Sequence, residues 1–366
     1  MAIISGGKGI RPQGTALPII INGDMAVSQR TTSFAAVGDG VYTLDRYETH
    51  KNTDGAVTVT QEALTSGNAY LDGFKTALKC DVTTADGTLA GTQRFFIQQI
   101  VEAQNLRSLK YGTANAEKLT LAFWVKATKT GTHIVRLYQY DDDRSVSLSY
   151  TVNTTNTWEK KVLSVPADTS GVIDDNNGQG LQIAWAVGAG ADFQSGTLAT
   201  AWAGNTSAND FVGQVNGLDN TNNNFHLTGI QLEVGEFSST TIPAFQHESF
   251  ADNLVRCQRY YYLHATGNEK SMGRGGYYSN SQAEFQFYTP VLMRTDPTLE
   301  IASGSNYYVV YRNGGSDTID DFALNAETKK ESISLSNNSD ASGTAGHAGH
   351  FVTNNSSAKV ALTAEL

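Results

Sequence analysis

At 366 residues, with 40% hydrophobic and 10% aromatic side chains, the chain is long and apolar enough to bury two or three cores, which excludes a disordered protein. Its net charge of −10 argues against nucleic acid as a partner, because phosphate binding needs a positive field and no local basic stripe supplies one. No apolar run approaches the roughly 18–20 residues that span a bilayer, so membrane insertion is not expected.

Only 17% of residues are Asp, Glu, Lys or Arg. Gly, Asn, Ser and Thr carry the polarity instead, as in turns and sheet surfaces. Met1 to Gly14 is Gly-rich, carries Lys8 and Arg11, and lacks the apolar core of a signal peptide. Export by the usual secretory route is therefore not expected. Cys80 and Cys257 lie far apart and form no CxxC pattern, so two buried free thiols are expected.

In chain order, Val101 to Lys110 is a short helical candidate. Leu119, Leu121, Phe123 and Val125 then alternate with Thr120, Ala122, Trp124 and Lys126. The same period-two pattern runs through Val146 to Val152 and Leu181 to Val187. Each predicts a strand with one face on a core. Asp141-Asp142-Asp143 reads as a solvated hairpin turn, because three consecutive acids do not face each other across a substrate as paired-acid hydrolysis needs. Asp174 to Gly178 fails the spacing of a calcium loop and reads as an Asn-Gly hairpin turn. Strands at short intervals predict an all-β fold built on a β-sandwich. Ser249 to Arg259 predicts a brief capped helix, with Phe250, Leu254 and Cys257 at spacings of four and three. Beyond it, Ala283 to Phe287, Asn306 to Tyr311, Ser332 to Leu335 and Lys359 to Leu366 predict further strands, with Asn337 to Gly349 as a long loop. The predicted organisation is an attachment arm (1–20), a sandwich (21–248) and a smaller second β-domain (249–366), with short connecting helices only.

Four blocks resemble, in order, tailed-bacteriophage and prophage tail-fibre-like or decoration-type virion proteins. They are INGDMAVSQRTTSF with YTLDRY (Ile21 to Phe34, Tyr42 to Tyr47), LTLAFWVKA through TWEKKVLSVP (Leu119 to Pro166), GIQLEVGEFSSTTIPAFQHESFADNLVRCQRYYY (Gly229 to Tyr262), and the final TAEL. The middle block is similar to the jelly roll of galactose-binding-like and carbohydrate-binding modules. The resemblance departs at Met25, where an aromatic is common. It implies a non-enzymatic structural protein on the virion surface, on tail or capsid, assembled as a homotrimer. Its partners would be other virion proteins, reached through the N-terminal arm, and host surface glycan. Adhesion or particle reinforcement would be its role. A polysaccharide depolymerase of a tail spike and a free-standing carbohydrate-binding module are the alternatives. Such jelly rolls often hold one structural calcium, for which the oxygen donors at matching places are Asn22, Asp24, Gln231 and Glu233; no other cofactor is expected.

Aromatic rings are the expected sugar contacts, since sugar C–H faces pack on them. Tyr138 and Tyr140 are two apart on one strand face that Arg136 shares, and Trp202 lies in a Gly/Asn/Ser-rich segment, with Trp158 a further candidate. Tyr260-Tyr261-Tyr262 and Tyr277-Tyr278 suit packing on one side and a neighbouring subunit on the other. His347 and His350 have no third ligand nearby, and no nucleophile-elbow, zinc-protease or phosphate-loop motif is present.

Overall fold

In a computed structural model of the chain, residues 17–366 are described, with the backbone of residues 4–5 and 8–9; most of the expected attachment arm (1–20) lies outside the described residues. The first unit is a jelly-roll β-sandwich, and a smaller β-domain follows it. One sheet has seven strands, in the order Ala203–Gly204, Arg144–Val152, Gly131–Gln139, Gln179–Ala189, Arg94–Glu102, Glu48–Asn52 and Val41–Tyr42. The other has six, in the order Glu159–Val165, Leu119–Ala127, Asn224–Val234, Thr76–Thr84, Ala56–Ala63 and Ser33–Phe34. The chain passes repeatedly from one sheet to the other, and every pairing is antiparallel.

The alternation read from the sequence sets which faces meet. Leu119, Leu121, Phe123 and Val125 point inward against Leu181, Ile183 and Trp185 of the opposite sheet, in one continuous core. The Phe123 ring meets Trp185 edge-on at 5.9 Å. Both cysteines are buried and unpaired. The Asp141–Asp143 turn does join two paired strands, with Gln139 opposite Arg144. Asp174 to Gly178 is not a hairpin: it carries the chain from Glu159–Val165 in one sheet to Gln179–Ala189 in the other.

Ser249 caps the connecting helix Phe250–Gln258, its hydroxyl accepting from the Asp252 N–H at 3.1 Å. Asp252 in the first turn and Arg256 in the last complement the helix dipole. The earlier helical candidate is a 3-10 turn, Ala103–Leu109, because Val101 and Glu102 still belong to a strand.

The second domain packs a three-stranded sheet (Tyr261–Thr266, Lys359–Thr363, Thr298–Ile301) against a seven-stranded one. Its core centres on Phe285, Phe287, Phe322 and Phe351. Ala348–Thr353 is a central strand here, between Tyr308–Arg312 and Ser271–Ser279. The sequence placed its first two residues in a loop, because Ala348 and Gly349 lack the side chains that mark strands.

Three of the four blocks that carried the sequence resemblance, the first, third and last, meet where the two domains join. The Asn22 N–H donates to Asn253 Oδ1 at 3.1 Å, and Asn253 Nδ2 returns a bond to Asp24 Oδ1 at 3.2 Å, tying the opening turn to the exit helix. Only glycine fits at position 23, where an added Cβ would lie 2.2 Å from the Ile230 carbonyl oxygen. Gln29 Nε2 donates to Asp45 Oδ2 at 2.5 Å and to the Tyr261 carbonyl at 2.7 Å. The Arg30 and Arg46 guanidiniums stack over Tyr261 and Tyr260, each 3.6 Å from the ring centroid, and both reach Glu365 of the final block. Arg259 grips Glu102 with two nitrogens, at 2.6 and 3.0 Å, and the Tyr260 hydroxyl donates to the same carboxylate at 2.8 Å. Tyr260 and Tyr261 are therefore buried within one chain, against the expectation that they face a neighbouring subunit; Tyr262 is half-buried.

Candidate functional site

The outer face of the seven-stranded sheet holds the side chains that alternate with the core. Arg94, Phe96 and Gln98 alternate with inward Phe95 and Ile97; Arg136 and Tyr138 with Val135 and Leu137; Gln182 and Ala184 with Leu181 and Ile183. Antiparallel register puts Tyr138 opposite Gln182, Arg136 and Gln98 both opposite Ala184, and Glu48 opposite Gln98.

One part of this face is covered. The segment 190–214 folds back over it, and Phe193 and Phe211 bury against Phe96, Ile134, Ala184 and Ala186. The Ser147 hydroxyl donates to the Asp210 carbonyl at 2.7 Å and holds the cover down.

A line of hydrogen bonds, in which Gln98, Gln182 and Asp210 are buried, runs from Glu48 to this cover. Gln98 Nε2 donates to Glu48 Oε2 at 2.6 Å, Gln182 Nε2 donates to Gln98 Oε1 at 2.5 Å, and Arg136 Nη2 donates to Gln182 Oε1 at 2.5 Å. Arg136 Nη1 ends the line on Asp210 Oδ2, at 2.5 Å. Each donor meets an acceptor, so the order of the bonds fixes which way both Gln amides point. Burial raises the carboxyls of Glu48 and Asp210 above their ordinary range, against the pull of the Gln98 hydrogen bond and the Arg136 charge respectively. Such a line holds four adjacent strands' side chains in fixed directions before any ligand arrives.

Tyr138 and Tyr140 flank it, their rings 5.0 Å apart and nearly perpendicular. Burial, then Asp143, raises the Tyr138 phenol; burial, then Glu48, pushes Tyr140 up to about 12. Both hydroxyls therefore stay protonated at neutral pH. Tyr138 donates to Asp143 Oδ1 at 2.9 Å, and Tyr140 accepts from Gln182 Nε2 at 3.3 Å. On the other flank His50 stacks on Phe96 at 4.6 Å.

The structure thus brings Arg136, Tyr138 and Tyr140 together and leaves Trp202 out. Trp202 is a core side chain, edge-on to Tyr111, with its indole N–H donating to the Pro166 carbonyl at 2.8 Å. Trp158 is likewise buried, beside Phe74 and Leu64. Glu48, Gln98, Gln182 and Asp210 escaped the sequence reading. Gln98-Gln99 puts one amide on each side of its strand: Gln98 joins the outer line, while Gln99 clamps the backbone N–H and carbonyl of Ile21. Neither residue type marks a site by itself.

The structure separates one of the four expected calcium donors from the other three. Asn22 is spent on the opening turn, its Nδ2 donating to the Val27 and Asp45 carbonyls and its Oδ1 accepting from the Val27 N–H. Asp24, Gln231 and Glu233 do line one small cavity with Glu248. There Asp24 Oδ1 already accepts from Ala26 and Asn253, and Glu248 is paired with Arg256 at 2.6 Å. Among the described residues no three His, Cys, Asp or Glu side chains come close enough to hold a metal ion.

No protein-family model and no curated protein matches the chain. Solved structures similar to it include the enzymatically active domain of tailspike protein 4 of bacteriophage CBA120, at 13% identity over 55% of this chain with a TM-score of 0.29. The chain spans 21% of that tailspike's length. A putative sugar binding protein from Bacteroides thetaiotaomicron is 14% identical over 60% of this chain and 100% of its own, with a TM-score of 0.32. A family 11 carbohydrate-binding module from Clostridium thermocellum, in complex with a mixed-linked tetrasaccharide, is 10% identical over 59% of this chain and 99% of its own, with a TM-score of 0.28.

Proposed function

We propose that this chain is a non-catalytic glycan-binding structural protein of a bacteriophage virion, and that the outer face of its seven-stranded sheet is the binding surface. The observation that carries the binding role is the fixed line Glu48–Gln98–Gln182–Arg136 beside the Tyr138/Tyr140 pair. Sugar rings need an aromatic face for their C–H side and preset polar groups for their hydroxyls, and this surface offers both. Both face carboxylates serve as acceptors for protein donors, an arrangement that suits holding a ligand more than cleaving one. Placement on a virion, and assembly as a trimer that multiplies weak contacts, rest on the order of the four sequence blocks.

Electrophoresis through gels containing host-surface polysaccharide tests the binding role. Retardation of the wild type and about ten-fold weaker retardation of Tyr138→Ala are expected. Release of reducing ends from the same polysaccharide would instead make the chain an enzyme. Immunogold labelling of intact particles tests the placement, and unlabelled particles would refute it.

A further inference from the structure

We propose that the glycan taken by this face is acidic and that Arg94 holds its carboxylate; the inference rests on the glycan-binding reading above. Within the sandwich, every other guanidinium that is at least partly buried already has a carboxylate. Arg136 has Asp210, Arg144 has Asp168, and Arg30 and Arg46 share Glu365. Arg94 is half-buried and has no hydrogen-bond acceptor or ion pair among the described residues.

Its position is nevertheless set. The guanidinium lies 4.3 Å from the Phe193 ring centroid and 5.8 Å from that of Phe96. Stacking on a ring fixes the plane of the fork and leaves its N–H edge free for a planar, two-oxygen acceptor. The neighbouring carboxylates act on Arg94 only through space, and each has a nearer partner. Asp210 is held by Arg136, and Asp39 accepts from the Lys51 N–H at 2.8 Å and sits 3.2 Å from His50 Nδ1. The chain carries a net charge of −10, so an anionic polymer is repelled by most of its surface. Arg94, 5.8 Å from the Phe96 centroid, is the guanidinium on this face without an ion pair of its own, since Arg136, 6.0 Å from the same ring, has Asp210.

Arg94 and Tyr138 share the face but stand on strands separated by one other, roughly 10 Å across the sheet, and their partners Ala189 and Gln182 on the strand between them offset them by a further seven residues along it. A chain of sugars, rather than a single one, reaches both. A neutral sugar would leave the Arg94 fork unpaired, whereas a uronate carboxylate accepts two of its N–H groups.

The test is titration calorimetry of the full chain with polygalacturonate, alginate and hyaluronan, each beside its carboxyl-reduced neutral form, and with sulfated dextran. At least one polyuronate is expected to bind about ten-fold or more tightly than its reduced form. Arg94→Gln should abolish that preference, leaving the melting temperature and the affinity for the reduced polymer unchanged. Equal affinity for both forms, a preference that survives Arg94→Gln, or stronger binding of sulfated dextran would overturn the inference. If Tyr138→Ala still weakens binding to a neutral polymer, the glycan-binding reading stands while this one falls. If none of the polymers binds, both fall.

Discussion

Arg46 and Glu365, separated by almost the whole sandwich and second domain in sequence, form an ion pair whose side chains are only 2% and 5% exposed. Glu365 also takes Arg30 at 3.3 Å, so two guanidiniums share one carboxylate at the junction. Removing it leaves a buried positive charge without a partner, which costs about 3–5 kcal/mol. Glu365→Ala should lower the urea-unfolding free energy by that amount, and a loss under about 1 kcal/mol would show that the pair is replaceable.

The same junction predicts how the domains unfold. Arg259 and Tyr260 hold Glu102 from the far side, and the Asn22 N–H donates to Asn253 near the helix. Phe351 is fully buried in the second core, and Phe351→Ala should cost about 3–5 kcal/mol there. With the junction intact, calorimetry of this variant should give one transition at lower temperature. Adding Glu365→Ala should split it into two. Two transitions in Phe351→Ala alone would mean that the domains are coupled weakly.

Much of this was legible beforehand, and the gaps have a common cause. Alternation exposes a strand only when one of its faces is polar. Leu119–Ala127 and Gln179–Ala189 announced themselves through their inward Leu, Ile, Phe and Trp side chains. Arg94–Glu102 did not, because its outer Phe96 is buried under Phe193 and Phe211 while its inner Gln99 is polar. Arg136, Tyr138 and Tyr140 share a face simply by being two apart, which sequence shows. Trp202 was misplaced because composition marks a segment as irregular without showing that it folds into the core. Distances between Glu48, Gln98 and Gln182 are matters of register, and register lies in pairing rather than in any one strand.

Acid should weaken the sandwich through His133. Burial, more than the nearby Lys161, lowers its pKa below the ordinary 6.5, against the opposing hydrogen bond to the Lys129 carbonyl. The unfolded chain then binds a proton first as pH falls. This contribution is complete above about 6.5 and is lost as pH drops toward the folded value. Urea midpoints measured from pH 7.5 to 5 should fall less steeply in His133→Phe than in the wild type; parallel profiles would exclude His133 as a source.

Glu102 acts in a lower window. Burial raises its carboxyl, but hydrogen bonds from Arg259 and Tyr260 and the Arg259 charge outweigh burial and hold it below the ordinary 4.5. Its stabilisation is present above 4.5 and lost as pH falls through the depressed value. Arg259→Met should shrink the loss seen below pH 4.5, and an unaltered acid limb would contradict the assignment.

Trp202 and Tyr138 separate core from site. Trp202→Ala removes a buried indole and should cost about 3–5 kcal/mol of stability without altering polysaccharide affinity in the remaining folded protein. Tyr138→Ala should do the reverse. A Trp202 variant that folds normally and loses affinity would return that residue to the site.

A crystal structure of the chain with a bound oligosaccharide tests the account most directly. Sugar density over Tyr138 and Tyr140, beside Arg136, is the predicted result. Density seated on the six-stranded sheet or on the second domain, with this face bare, would contradict it.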